Sequence, residues 1–193
     1  MPALTTQRLR LVPITLETIE GVLRHDRAAA EAALEDILRV CGSTHTGRAQ
    51  FPPAWPNDEL VSIGFPYSLD AIRAQPHIRL WGDSLVLPLD GPPVVLGSVV
   101  FKGLPKDGIA EVGYAVVEDS RSQGFATEAT QACVDWALDQ PGITAVQATT
   151  FPWHHASLGV IRKCGMVQVG TREHEMLGDL LVFERRRGAT RAD

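Results

Sequence analysis

The sequence predicts an α+β fold, and three features point to it. Apolar residues recur at steps of three and four near the front of the chain. Three β-type runs separated by turn residues follow, and helical spacing then returns at Ala126. The chain has 193 residues, which suits one domain. A chain of that size buries a substantial core without disulfides or a structural metal.

Residues 8–13 alternate charged with apolar side chains and predict the first strand. Thr15 is placed to cap the following helix, with Glu17 in its first turn. Leu16, Ile19 and Leu23, then Ala30, Leu34, Ile37 and Leu38, keep helical spacing, and Asp26 is placed to divide them into two helices. Residues 42–67 break periodicity with Gly42, Gly47, Pro52, Pro53, Pro56, Gly64 and Pro66. Phe51, Trp55, Phe65 and Tyr67 are interleaved with them, so this irregular segment is either a flap over a site or the cover of a core edge. A short helix is expected over 68–75.

Residues 84–89 and 94–101 are apolar runs divided by Asp90, Gly91, Pro92 and Pro93, which predicts a hairpin of strands two and three. Pro88 suits an edge or a bulge. Strand four is expected over 109–117. Ala126, Ala129, Cys133, Trp136 and Ala137 then predict an amphipathic helix ending before Pro141 and Gly142. The β-branched run 143–150 reads as strand five. A helix over 156–164 stops at Gly165. Strands six and seven are expected over 166–169 and 179–184. The domain is therefore read as 1–187, with 188–193 a frayed tail.

Composition excludes several classes. Apolar residues make up 45% and charged residues 21%, against wholesale disorder. No window approaches the roughly 20 apolar residues of a membrane span, so no membrane partner is expected. The net charge of −5 argues against nucleic acid as a partner. The opening residues lack a signal-peptide layout, and Cys41, Cys133 and Cys164 are an odd count with no CxxC pair, against a disulfide framework, so a cytoplasmic setting is expected. The cysteines are read as packing residues. His154 and His155 have no third ligand nearby, so no metal is expected.

The stretch from Glu118 to Ala129 carries the chemistry. It connects a strand to a helix, and the first N–H groups of a helix lack internal partners. Those groups and the helix dipole form a pocket for phosphate. Gly124 and Ala126 let a ligand approach the backbone, and Arg121 adds positive charge. The run lacks both the GxxxxGK[ST] and the GxGxxG patterns of nucleotide loops.

Arg121-Ser122-Gln123-Gly124-Phe125-Ala126 matches the [QR]-x-x-G-x-[GA] motif of the GCN5-related N-acetyltransferases. Glu111-Val112-Gly113-Tyr114 before it, Thr127-Glu128-Ala129 after it, the opening Thr6-Gln7-Arg8-Leu9-Arg10-Leu11 and the helix from Ala156 to Met166 resemble the branch that includes ribosomal-protein alanine acetyltransferases. The ordered set covers most of residues 6–186. The resemblance implies a mixed, mostly antiparallel sheet splayed between strands four and five and flanked by helices. It implies acetyl-CoA as co-substrate. The pyrophosphate would be held by Arg121, Ser122, Gln123, Gly124, Phe125, Ala126 and Thr127, and the pantetheine arm would run along Ala115, Val116 and Val117. The implied reaction is acetyl transfer to a primary amine by direct attack in a ternary complex.

Such transfer needs a neutral amine, donors for developing negative charge, and a proton for the departing thiolate. Glu111 is the candidate base, or else a solvent-facing strand residue. Many family members carry a tyrosine four residues before the glycine that ends the last helix, and here that position is Ile161. Ser157 is then the candidate acid, or a cap or CoA contact, and Tyr114 is a further possibility. His154 stands where the family usually has an asparagine that touches the CoA arm. It replaces that asparagine, takes over base chemistry, or is a surface residue. The acceptor is a small-molecule amine or a peptide or protein amine, and the chain is a monomer or a homodimer. Two alternatives stand beside this reading. One is a non-catalytic acyl-CoA sensor. The other is a transferase for a bulkier donor such as succinyl-CoA, with Arg48 or Arg73 as candidate carboxylate partners.

Overall fold

The computed structural model describes residues 3–45, 47–53, 56, 65, 69, 73, 81–174 and 178–188. Among them the chain runs β1 (Leu4–Thr5), β2 (Leu9–Pro13), α1 (Leu16–Leu23), α2 (Arg27–Val40), β3 (Ser84–Pro88), β4 (Gly97–Phe101), β5 (Ile109–Val116), α3 (Phe125–Asp139), β6 (Ala145–Thr150), α4 (His155–Lys163), β7 (Val167–His174) and β8 (Gly178–Arg186). The two-residue β1 escapes the sequence patterns, so the fourth and fifth strands of the sequence reading are β5 and β6. The sheet has eight strands in the order β1-β2-β3-β4-β5-β6-β8-β7. Among the strands of the described residues, only β5 and β6 pair in parallel.

Local chemistry sets the element ends. The Thr15 side chain accepts from the Thr18 N–H at 3.2 Å and starts α1. Asp26 accepts from the Ala29 N–H at 3.0 Å and starts α2, which divides the two helices as its position suggested. Pro88 ends β3 opposite Leu9, where a missing N–H costs least. The third expected strand shortens to Gly97–Phe101. Val94 instead forms an isolated bridge with Gln50, tying the irregular segment to the sheet. The closing strands run longer than their apolar centres, because the paired ladder carries exposed polar residues at both ends. Of residues 68–75, only Leu69 and Arg73 are described, both helical. Trp55, Tyr67 and residues 189–193 lie outside the described residues.

The sheet separates two cores. On one face α3 and α4 pack Cys133, Val134, Leu158 and Ile161 against Val99, Phe101, Ala110, Val112 and Val146. On the other, α1 and α2 pack Ile19, Leu34 and Leu38 against Val12, Leu85, Leu87 and Val95. Each such side chain taken fully from water contributes about 1.5–3 kcal/mol. Phe51 and Phe65 are buried in this second core, so these two aromatics cover apolar surface.

One irregularity positions the site. β5 and β6 pair only at Ile109↔Ala145, Ala110↔Val146 and Glu111↔Gln147. Beyond Glu111, β5 stays with β4 as far as Val116↔Gly97, while β6 stays with β8 as far as Thr150↔Leu181. The middle of the sheet therefore opens. Gly97 keeps β5 on the β4 side, since a Cβ there would sit 2.1 Å from the Ala115 carbonyl oxygen.

Candidate functional site

The open half of the β5–β6 seam exposes main chain. In an antiparallel pair, successive residues alternate between facing the partner and facing away. Lys102 donates its N–H to the Glu111 carbonyl, and Val117 donates to the Leu96 carbonyl, at 2.8 and 2.9 Å. Residues 111, 113, 115 and 117 therefore turn their N–H and C=O groups to β4, and Tyr114 and Val116 turn theirs to the gap. Ala115 and Val117 are thus occupied, and main-chain pairing across the gap falls to Val116 and Tyr114. Arg121 reaches back to the Val116 carbonyl with its Nε at 3.4 Å.

The seam leads directly into the loop before α3. A single 3₁₀ turn, Glu118–Ser120, closes with the Arg121 N–H on the Glu118 carbonyl at 3.0 Å. Ser122 and Gly124 then adopt left-handed backbone, with φ of 60° and 84°. Among the described residues, no acceptor meets the N–H groups of Ser122, Gly124, Phe125, Ala126 and Thr127. Consecutive amides turned by alternating backbone signs form a concave anion site, and the start of α3 adds its dipole. Gly124 is the N-cap, with no side chain to satisfy those donors. Sequence reasoning missed what holds this loop from behind: Arg8 donates to the Gln123 carbonyl at 3.0 Å and pairs with Glu128 at 2.7 Å.

On the α3/α4 face, Tyr114 and Ser157 meet. The Tyr114 hydroxyl lies 2.9 Å from Ser157 Oγ and 3.1 Å from the Ser157 carbonyl oxygen. Burial, partly offset by the Ser157 hydrogen bond, pushes the Tyr114 phenol up to about 12. It is therefore protonated at any physiological pH. Continuing the Glu111↔Gln147 register by three residues places Thr150 opposite Tyr114. Thr150 Oγ1 is buried and lacks a hydrogen-bond partner among the described residues. An unmet buried hydroxyl costs about 1–3 kcal/mol.

Glu111 occupies the last paired position, on the opposite face. Lys102 Nζ lies 2.8 Å from Oε1, Arg172 Nη1 lies 3.1 Å from Oε2, and the Thr149 hydroxyl donates to Oε1 at 3.0 Å. Burial alone would raise this carboxyl, but the Lys102, Arg172 and Thr149 contacts outweigh it and hold the group below the usual carboxylate range. Glu111 is ionised and is a weak proton acceptor.

His154 is exposed at the N-cap of α4 and makes no side-chain cap bond there. Among the described residues, no hydrogen bond joins Glu111 to Ser157 or His154. The structure therefore brings Ser157 to Tyr114, places Glu111 across the sheet, and leaves His154 exposed beside Trp153, with ring centroids 5.9 Å apart. Neither arginine considered for a bulkier donor is drawn into the seam: Arg48 is exposed, and Arg73 pairs with Glu20 at 3.3 Å. Cys133 and Cys164 are buried and Cys41 half-buried, and none of the three forms a disulfide. Among the described residues, no group of three metal-ligating side chains is assembled, and no helix is long and apolar enough to cross a membrane.

Comparison with known proteins agrees with this architecture. The model of the "Acetyltransferase (GNAT) domain" family matches residues 8–167. The uncharacterized N-acetyltransferase YjdG of Bacillus subtilis (strain 168) is 24% identical over 171 residues, which cover 86% of this chain and 90% of that one. Among solved structures, RimL, a ribosomal L7/L12 alpha-N-protein acetyltransferase in complex with coenzyme A, superposes with a TM-score of 0.61 at 14% identity, covering 94% of this chain and 95% of that one. The microcin C7 self-immunity acetyltransferase MccE, in complex with acetyl-CoA and AMP, superposes with a TM-score of 0.59 at 15% identity, covering 94% and 93%.

Proposed function

The chain belongs to the GNAT acetyltransferase family, and from that premise we propose that it moves an acetyl group from acetyl-CoA to a primary amine, with both substrates held at once. One observation carries the reading. Among the described residues, the amides of Ser122 and of Gly124 to Thr127 lack partners, where an open strand seam ends. Backbone donors of that kind suit two linked phosphates, and the seam beyond them suits an extended arm with amides of its own.

Acetyl-CoA supplies the acetyl group already activated as a thioester. The chain's residues do the rest. Arg121 adds charge beside the amide cradle, and Val116 and Tyr114 offer main-chain groups along the gap. The Val116 N–H faces the position where carbonyl oxygen gains charge, and such preorganised donors are worth about 3–4 kcal/mol in other acyl transfers. Ser157 holds the proton that a departing thiolate needs, and Tyr114 stands behind it as a second hydroxyl in the chain. His154 lines the mouth of the arm's path.

Glu111 takes the proton released by the amine through water. Because it is a weak acceptor, it serves best an amine that is already partly neutral. An α-amine, with a reference pKa of about 7.7–8.0, meets that condition better than a lysine at about 10.4. Peptide or protein N-termini are therefore the preferred acceptors, and the RimL neighbour, an alpha-N-protein acetyltransferase, supports that choice.

The test is a CoA titration of the purified chain, followed by thiol release from acetyl-CoA over a panel of peptide α-amines, lysine side chains and small amines. Saturable CoA binding and faster turnover with α-amines are expected. No binding at millimolar CoA overturns the proposal. Binding without thiol release from any amine moves the chain to the sensor reading, and a faster rate with succinyl-CoA moves it to the bulkier donor.

A further inference from the structure

We infer that Arg8, in the bend just before β2, is a positioning residue for the donor: it aims the phosphate cradle and cancels the Glu128 carboxylate beside it. This inference rests on the CoA reading above. Arg8 belongs to the opening motif Thr6-Gln7-Arg8-Leu9, to which the proposed reaction assigns no work.

The first half of the argument is geometric. Arg8 Nη1 donates to the Gln123 carbonyl at 3.0 Å. The peptide bond is planar and trans, so its C=O and the following N–H point in opposite directions. Fixing the Gln123 oxygen toward Arg8 therefore turns the Gly124 N–H away from Arg8, into the cradle. The guanidinium also stacks over the Phe125 ring, 4.8 Å from its centroid. A Cβ on Gly124 would lie 3.2 Å from Arg8 Nη2, so the guanidinium packs directly against the loop's turn.

The second half is electrostatic. Glu128 sits in the first turn of α3, the end where the phosphates are proposed to bind. A bare carboxylate there stabilises the helix dipole but repels an anionic ligand. Here it is fully engaged. The Thr6 hydroxyl donates to Oε1 at 2.6 Å and the Arg8 N–H donates to Oε1 at 2.9 Å. Arg8 Nε and Nη2 both lie 2.7 Å from Oε2. Such a fork is stronger and better oriented than a lysine contact. Burial raises the Glu128 carboxyl, but the Thr6 and Arg8 contacts outweigh it and keep the group ionised. Arg8 thus neutralises a charge that would otherwise oppose the coenzyme.

CoA titration of the wild-type chain, R8A, R8K and the double variant R8A/E128Q separates these roles from simple folding. R8A is expected to raise the Kd for CoA at least tenfold. R8A/E128Q is expected to bind several-fold tighter than R8A, because the uncompensated carboxylate is gone. An arginine that only held the fold together would show no such rescue. A wild-type Kd in R8A, or a double variant no tighter than R8A, overturns the inference. If R8A does not fold, R8K carries the test: a Kd raised at least threefold supports the fork, and an unchanged Kd overturns it. A wild-type chain that fails to bind CoA sinks the cofactor reading itself, an outcome distinct from wild type and R8A binding alike.

Discussion

The two halves of the β5–β6 seam differ in what they do with polar groups. In the paired half, residues 109–111 meet 145–147, and the side chains of Glu111, Lys102, Thr149 and Arg172 satisfy one another. In the open half, the main chain of Tyr114 and Val116 faces a gap, and among the described residues Thr150 Oγ1 and most amides of the loop beyond lack a partner. One strand thus passes from a self-sufficient ladder to a surface left incomplete. Closed hydrogen bonding serves stability, and binding needs groups the protein has not already used.

The difference can be broken at the open half first. Ser157→Ala removes the proton donor nearest the seam, and kcat should fall about a hundredfold, the scale of lost acid catalysis. The Kd for CoA should stay within a few-fold, and Tyr114→Phe in the same background should add little, because the two hydroxyls act as one chain. Equal losses that multiply in the double variant would separate Tyr114 from the relay. Steady-state kinetics with a peptide acceptor, alongside CoA titration, reads both.

A smaller effect is expected one step further along. Gly124→Ala places a side chain at φ of 84° and against Arg8. The strain is about 1 kcal/mol, and the shifted guanidinium loosens the Gln123 carbonyl. The Kd for CoA should rise about tenfold, with a modest loss of thermal stability. Unchanged affinity would show that the cradle tolerates either backbone.

The smallest effect on fold stability belongs to the paired half, apart from the loss of kcat that removing the proposed base brings. Glu111→Gln breaks two ion pairs of the half-exposed kind and should cost about 1 kcal/mol at neutral pH. The sign of its pH dependence follows from the lowered carboxyl. The ionised form is favoured by folding, so the contribution is present above the ordinary carboxylate value of about 4.3 and fades as pH falls through the lower folded value. Urea unfolding of both proteins should therefore converge in acid. A gap that persists at pH 2 would mean that packing, not charge, holds the site.

Much of the frame was legible because it rests on local signals. Asp26 and Thr15 announced helix starts, and Gly124 and Ala126 announced a tight approach to backbone at a strand–helix turn. The seam's opening followed from the resemblance and is now explained by Gly97 and by the outer neighbours that each strand keeps. What stayed hidden depends on register and distance in sequence. Arg8 and Glu128 are 120 residues apart, and no periodicity links them. Tyr114 and Ser157 meet only because α4 folds back over the open strand. Glu111 was visible as a candidate, but Lys102 and Arg172 around it were not, and they decide its proton affinity. One signal was available and unused: an acid in the first turn of an anion-binding helix calls for a cation elsewhere in the chain.

The alternation along β5 has a consequence of its own. Central strands usually shelter every amide from deuterium, yet here shelter comes at every second position. Gly113 and Ala115 are locked against their neighbour while Tyr114 and Val116 stand at the opening, so one short stretch of chain carries slow and fast clocks in turn. A molecule laid in the opening slows only the fast ones, and the chain writes the path of its occupant into its own backbone.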